Sequence, residues 1–180
     1  MQSLRTEIGA EIRDPKGVLI RRVPFQPCHS LLKGFIQVLA AQMGHMQQTI
    51  KQYSGTVASD GPDSYALSCA GTTSTYHGIV IGSGTTPVTM EDYFVETHLS
   101  VGLGFASNVF AVENPDSATW RLAISRGIAN NTGADVDVKE VGLVGLFSQF
   151  KWICFDRTLY EVSFADGETL TLTYRISISL

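Results

Sequence analysis

The last eleven residues of the chain, 170–180, constrain its fold more than any other segment. Apolar and polar side chains alternate there without interruption, the apolar ones being Leu170, Leu172, Tyr174, Ile176, Ile178 and Leu180. Successive side chains of a β-strand point to opposite faces, so this period of two predicts a strand with one buried face. Strands of this kind are typical of antiparallel sheets, and we expect this one to be central to stability.

Short strands recur through the second half of the chain. Apolar runs at 76–82, 101–112, 118–129, 134–147, 150–156 and 159–164 are separated by Gly-, Asn-, Asp- and Pro-rich turns. Spacing of about ten residues predicts a β-sandwich or jelly roll. On the run 118–129 we expect four side chains to share one face: Trp120, Leu122, Ile124 and Ile128. Near Glu140 a β-bulge is expected, because one inserted residue would bring Val138 and Val141 to the same apolar face.

The N-terminal third combines a hairpin with a helix. Residues 4–13 and 17–25 read as two strands joined by the turn 14–17. Apolar residues then recur at helical spacing, which predicts a helix of about five turns over 30–53. Ser30 is the expected N-cap and Gly55 the expected stop. The side chains expected to pack are Leu32, Phe35, Leu39, Met43 and Met46.

The predicted fold is a single mainly β domain over 1–180, an antiparallel, jelly-roll-like β-sandwich with one α-helix in its N-terminal half. It divides into hairpin and helix (1–53), a loop arm (54–75) and the sandwich body (76–180). The arm is rich in Gly, Ser and Thr. Two interpretations of it stay open: an arm that contacts a partner, or a surface loop with one short strand at Tyr65–Cys69.

Charge is sparse and unevenly distributed. Charged residues make up 17% of the chain, and the formal net charge is −4. No basic cluster exceeds the pair Arg21–Arg22, which argues against nucleic-acid binding. Residues 1–33 carry six Lys or Arg against three Asp or Glu. Such a chain could dock head-to-tail with its own copy or be covered by partner subunits; a bland Thr- and Ser-rich surface is the alternative.

No membrane or disulfide chemistry is predicted. No stretch approaches eighteen consecutive apolar residues, and the first residues lack the apolar core of a secretory signal. Cys28, Cys69 and Cys154 are odd in number and form no CxxC pair, so neither a disulfide framework nor a metal site is expected. Cys154 lies in an apolar run and is expected to be a buried thiol, whereas Cys28 could have its thiolate favoured by the helix N-terminus.

Catalytic, cofactor-binding and metal-binding residues are predicted to be absent. His29, His45, His77 and His98 show no ligand spacing. The segment Gly82–Thr86 resembles a phosphate cradle but lacks a following Lys, which excludes a Walker loop. The carboxylates Glu91, Asp92 and Glu96, and the pair Asp135 and Asp137, could in principle serve hydrolysis or calcium binding. Solvated side chains are the default interpretation of both groups.

Three stretches resemble a family of tailed-bacteriophage virion proteins. They are IVIGSGTTPVTMEDYFVET (79–97), NNTGADVDVKEVGLVG (130–145) and VSFADGETLTLTYRISISL (162–180). The resemblance implies a β-sandwich subunit of the particle, such as a capsid-decoration, collar or tail protein. It supplies no catalytic residue.

Two functional hypotheses follow. The first is a homo-oligomeric virion subunit, made in the host bacterial cytoplasm, whose partners are copies of itself and other virion proteins, with no nucleic acid or membrane. The second is a receptor- or glycan-binding module of a phage fibre or baseplate, whose partner is a host surface glycan. A glycan site needs an exposed aromatic platform, whereas Trp120 and Trp152 are expected to be buried, which favours the first. A hydrolase is the remote third option, and we expect no enzyme.

Overall fold

The computed structural model describes residues 3–28, 32–44, 48–60, 73–147 and 151–179. Within these ranges the chain forms one helix and eleven strands. In chain order they are β1 (Ser3–Arg13), β2 (Leu19–Pro27), α1 (Lys33–Gly44), β3 (Gln48–Lys51), β4 (Val57–Asp60), β5 (Gly78–Gly82), β6 (Leu103–Phe105), β7 (Val109–Asp116), β8 (Thr119–Asn130), β9 (Val136–Phe147), β10 (Lys151–Phe164) and β11 (Thr169–Ser179).

Two antiparallel sheets pack face to face. The large sheet has the order β2-β1-β11-β8, and both β6 and β7 pair with the free side of β8. The small sheet has the order β10-β9-β5, and β3 and β4 form a separate hairpin. Buried side chains from the facing sides of both sheets form one apolar core, among them Ile8, Ile124, Leu172, Val141 and Phe164. The mainly β sandwich prediction is confirmed.

The C-terminal strand occupies the middle of the large sheet. β11 pairs with β1 on one side and with β8 on the other. Leu170, Leu172 and Tyr174 are completely buried, as the alternation predicts. Further along the same face, however, Ile178 is 56% exposed. The row is therefore only partly buried, because the core does not extend to this end of the sheet.

The predicted N-terminal hairpin is confirmed as β1 and β2. Its turn is fixed by Asp14, whose Oδ1 accepts hydrogen bonds from the amides of Lys16 (2.9 Å) and Val18 (2.8 Å). Gly17 takes a φ of 81°, a conformation that side chains disfavour. Since β1 pairs with β11, the hairpin is an integral part of the large sheet.

The predicted helix over 30–53 is too long. α1 ends at Gly44, and the next element is β3, which turns through Gly55 (φ 80°) into β4. Ile50 continued the helical spacing in the sequence, but it is buried as a strand residue. Ser30 and Met46 lie outside the described residues. The apolar residues after Gly44 therefore keep the helical spacing only by chance.

The helix packs along β10, the edge strand of the small sheet, and the predicted packing face is correct only in part. Leu32 is fully buried and Phe35 packs against the core as predicted, but Met43 is 81% exposed, and Val38 and Ala41 are buried instead. Close approach depends on Gly34, because a Cβ there would lie 2.7 Å from Ile153 Cγ2. The helix thus covers an edge that would otherwise present unpaired backbone groups.

An irregularity lies beside Glu140, as predicted. Pairing of β9 with β10 shifts between Glu140 and Val138, and the extra residue belongs to β10, within the segment 160–161. Val138 and Val141 both face the main core, although they have opposite parity along β9. The common apolar face is confirmed, but the extra residue lies in β10 and not in β9.

Residues 54–60 of the predicted loop arm 54–75 belong to a hairpin. They form the turn at Gly55 and then strand β4. The short strand expected at Tyr65–Cys69 falls outside the described residues. No helix among those described has the length and apolar content to cross a membrane.

Candidate functional site

An apolar surface, the Trp120 patch, covers one end of the large sheet. Its members are exposed by 36–72%: Leu4, Phe110, Val112, Trp120, Leu122 and Ile178. Cross-strand pairing places Leu4 opposite Ile178, and Ile178 opposite Trp120, so these three form one row. The patch is therefore continuous across four strands.

The Trp120 patch is the unburied end of the core-facing side. Along β8, side chains at every second position point the same way, and Ile124 and Ile128 are buried while Trp120 is 60% exposed. The predicted common face of β8 is thus correct, but the predicted burial of Trp120 is wrong. Alternation identified the apolar face, whereas the small sheet covers only part of it.

The patch lies at the upper end of the size range for the largest apolar patch of an isolated subunit. With large side chains of about 150–250 Å² each, the exposed fractions amount to roughly 600 Å² of apolar surface. Monomeric proteins seldom expose a larger contiguous apolar patch, and such patches mark interaction sites.

The three carboxylates 91, 92 and 96 do not converge on an open site. Asp92 and Glu96 lie 2.7 Å and 3.8 Å from the guanidinium of Arg157, while Glu91 pairs with Lys33 at 3.0 Å. Burial opposes ionisation of Asp92, but hydrogen bonds from Thr89 and Arg157 outweigh it and lower its pKa. The default of a solvated carboxylate is therefore wrong for Asp92, which is largely buried against Arg157, whereas Glu91 and Glu96 are exposed to solvent as expected.

A fully buried carboxylate, Glu140, completes this cluster. Its Oε2 accepts a hydrogen bond from Arg157 Nε at 2.7 Å. Its Oε1 accepts from the amides of Gly84 (2.9 Å) and Thr97 (3.1 Å). A Cβ at Gly82 or Gly84 would collide with the carboxylate. The glycine turn that resembles a phosphate cradle therefore encloses an anion of its own chain.

Asp156 is a second buried acid, on the core side. Burial raises its pKa to about 7, and Thr158 donates to its Oδ1 at 2.8 Å. Within the described part of the chain its Oδ2 has no hydrogen-bond partner, which suits a protonated carboxyl better than a carboxylate. Burial also raises the pKa of the neighbouring Cys28 thiol to about 12, and that of Cys154 well above the usual value. Cys154 is the predicted buried thiol, but the expected helix effect on Cys28 is wrong: α1 begins only at Lys33.

The remaining predicted site residues are dispersed. His98 Nε2 donates a hydrogen bond to the carbonyl oxygen of Thr75 at 2.9 Å, and burial lowers the pKa of His98. His77 is buried, while His29, His45 and Cys69 lie outside the described residues. Asp135 and Asp137 are exposed, and Ser163 donates to Asp137. Among the described residues, no group of three His, Cys, Asp or Glu side chains could hold a metal ion.

Two buried arginines were missed by sequence reasoning. Arg126 spans the sandwich from β8, donating to the carbonyls of His77 (2.6 Å) and Ile79 (2.8 Å), and burial lowers its pKa to about 10. Arg157 holds the carboxylate cluster. A signal existed for Arg126, since it occupies the apolar phase of β8 between Ile124 and Ile128.

A concave surface, the outer groove, crosses the opposite side of the large sheet. Its volume is about 590 Å³. Small side chains form its floor: Gly9, Ala111, Ala123, Ser125, Thr171 and Thr173. Larger and charged side chains line its rim: Glu11, Arg22, Phe25, Val109, Glu113 and Arg175.

The second tryptophan belongs to an aromatic cluster on the small sheet. Trp152 is half-buried and stacks on Tyr76, with ring centroids 5.7 Å apart. Tyr53 meets the Trp152 ring edge-on at 4.8 Å, and Phe94 and His98 complete the group. The cluster fastens the β3–β4 hairpin and the 83–98 segment onto the small sheet.

Comparisons with protein-family models, curated proteins and solved structures found no match. The resemblance of three stretches to phage virion proteins therefore stays a prediction from the sequence.

Proposed function

We propose that this protein is a structural subunit that acts by packing against copies of itself, within a tailed-bacteriophage particle. The Trp120 patch carries the first part of the proposal. The second part, attachment to capsid, collar or tail, rests on the resemblance of segments 79–97, 130–145 and 162–180 to virion proteins.

A second copy of the chain is the occupant that the Trp120 patch fits best. A standard stable interface buries about 800 Å² on each partner, and the patch supplies roughly three quarters of that area as apolar surface. Its side chains carry no charge, so no ionic group would be buried unpaired. Charged residues of the same strands, such as Arg5 and Arg121, occupy the other face of the sheet.

Self-association is tested by light scattering after size-exclusion chromatography over a concentration series. The wild-type protein should form a dimer or larger oligomer, and Val112→Ser together with Trp120→Ser should weaken it at least about tenfold. Val101→Ser is the matched control, because Val101 is 90% exposed at the opposite end of the large sheet. A wild-type monomer at all concentrations, or equal effects of the double variant and of Val101→Ser, would refute the assembly role.

The virion assignment has a separate test. Antibodies raised against the chain should label particles of the phage whose genome encodes it. Unlabelled particles would remove the phage assignment while leaving self-assembly standing.

The second candidate function is a receptor- or glycan-binding module. The sequence argued against a glycan site because both tryptophans were expected to be buried, but Trp120 is exposed. The observation that favours it is the outer groove, which lies on the face opposite the Trp120 patch.

A further inference from the structure

A buried donor without an acceptor lies in the outer groove. The Nε of Arg175 is buried and has no hydrogen-bond partner in the described part of the chain. Its guanidinium carbon lies 3.6 Å from the centroid of the Phe25 ring. Buried unsatisfied donors are rare in folded proteins. The Arg175 side chain also lines the groove, where an acceptor on a bound ligand would meet the accessible part of the guanidinium.

Local backbone irregularity places this arginine. Pairing of β1 with β2 shifts between Ile8 and Ala10, which swings Phe25 over the sheet face. Gly9 provides the room, since a Cβ there would lie 3.0 Å from the Phe25 ring. The ring in turn holds the guanidinium of Arg175 flat. Bulges of this kind re-aim side chains beside functional sites, and a preorganised guanidinium loses little entropy on binding.

The floor of the groove offers side-chain hydroxyls. Thr171, Thr173 and Ser125 lie side by side there, with the hydroxyl oxygens of Ser125 and Thr173 2.8 Å apart. Backbone groups of β1, β11 and β8 are engaged in the sheet, so a peptide could not add to the floor as a strand. Saccharide hydroxyls, in contrast, pair with Ser, Thr and Glu side chains.

Charge on this face favours an anion. Five arginines point to this face, namely Arg5, Arg13, Arg22, Arg121 and Arg175, against four carboxylates, Glu7, Glu11, Glu113 and Asp116, on a chain of net charge −4. Glu11 is already paired with Arg13 and Arg22, and Glu113 with Arg121. Glu7 lies opposite Arg175 in the β1–β11 register, but no carboxylate of the described residues lies within ion-pair distance of the Arg175 guanidinium. The volume of about 590 Å³ lies in the usual range for small ligands.

We propose that the outer groove binds a carboxylate-bearing saccharide, with the carboxylate on Arg175 and sugar hydroxyls on Ser125, Thr171 and Thr173. This site goes beyond the structural role proposed above. It occupies the other face of the large sheet, so ligand binding and self-association use different side chains.

Calorimetric titration of the full chain with paired probes tests the site. Trigalacturonate and 3′-sialyllactose present the carboxylate on different sugars, and their neutral counterparts are the methyl-esterified trisaccharide and lactose. At least one acid should bind, and its neutral counterpart should bind about tenfold more weakly or not at all. Failure of both acids to bind at about 10 mM, or equal binding of an acid and its counterpart, would overturn the proposal.

Variants locate the site. Arg175→Lys keeps the charge but loses Nε and the planar stack, and should weaken acid binding at least about tenfold; Phe25→Leu should weaken it in the same direction. Arg5→Lys is the matched control on the same face outside the groove, and should change affinity less than about twofold. Equal affinities of Arg175→Lys and Arg5→Lys would exclude this groove. The assembly role is tested separately. Val112→Ser should weaken self-association in light scattering and leave the calorimetric affinity for the acid unchanged.

Discussion

Replacement of Glu140 by Gln tests whether the buried carboxylate holds the 83–98 segment on the small sheet. Glu140 is fully buried, and the side chain of Arg157 is 3% exposed. Gln has the same shape, and its amide oxygen can still accept from Gly84 and Thr97. Its NH₂ group would then face Arg157 Nε, placing two donors where a carboxylate now accepts.

The expected cost follows from burial. Removing one partner of a buried, hydrogen-bonded ion pair costs about 3–5 kcal/mol, because the remaining charge stays desolvated. Asp92 still pairs with Arg157 at 2.7 Å, which places Glu140→Gln toward the lower end of that range. For a chain of this length, a loss of about 3 kcal/mol corresponds to a Tm lowered by roughly 6–12 °C.

Urea and thermal unfolding measure this loss, and Glu91→Gln is the matched control. Glu91 pairs with Lys33 at 3.0 Å, but the two side chains are 74% and 52% exposed, so the control should lose less than about 1 kcal/mol. Equal stabilities of the two variants would show that the Glu140 cluster contributes no more than a surface ion pair.

Two further substitutions test the acid on the core side and the helix contact. Because burial raises the pKa of Asp156 to about 7, the stability from its retained proton is present at low pH and lost as pH rises through 7. Between about pH 5 and pH 8 the wild-type unfolding free energy should fall by about 3 kcal/mol relative to Asp156→Asn, and parallel pH profiles would contradict this. Gly34→Ala should destabilise by about 1–3 kcal/mol despite the better helix propensity of Ala, since its methyl group meets Ile153 at 2.7 Å. Gly127→Ala, where the nearest atom is 3.8 Å away, should change stability by less than about 0.5 kcal/mol, and a larger loss than for Gly34→Ala would refute the packing argument.

Elements whose signal is local could be predicted from the sequence. The alternation in 170–180 and the turn at Asp14–Gly17 both act within a few residues, and β11 and the β1–β2 hairpin match them. The helix shows the limit of such reasoning. Met46, Ile50 and Tyr53 continued the spacing of its apolar stripe, but Ile50 obtains its burial as a strand residue of β3.

Which faces are covered could not be predicted, because coverage depends on the opposing sheet. Trp120 and Ile128 have the same phase on β8, yet one is 60% exposed and the other is fully buried. Likewise, the Glu140 cluster joins Gly84, Thr97 and Arg157 from distant parts of the chain. In the sequence the cluster shows only as a charged residue, Glu140, within an apolar run, and this pattern does not identify Arg157 as its partner.

The Trp120 patch and the outer groove lie on opposite faces of the large sheet. On β11, Ile178 belongs to the Trp120 patch, whereas Thr173 and Arg175 belong to the outer groove. Side chains of opposite parity point to opposite faces, so a second copy seated on the patch would leave the groove open. Repeating the subunit in an assembly would then repeat the groove, and several weak saccharide contacts could combine into firm attachment. A sheet covered over only part of one face can therefore support both assembly and ligand binding without a shared residue.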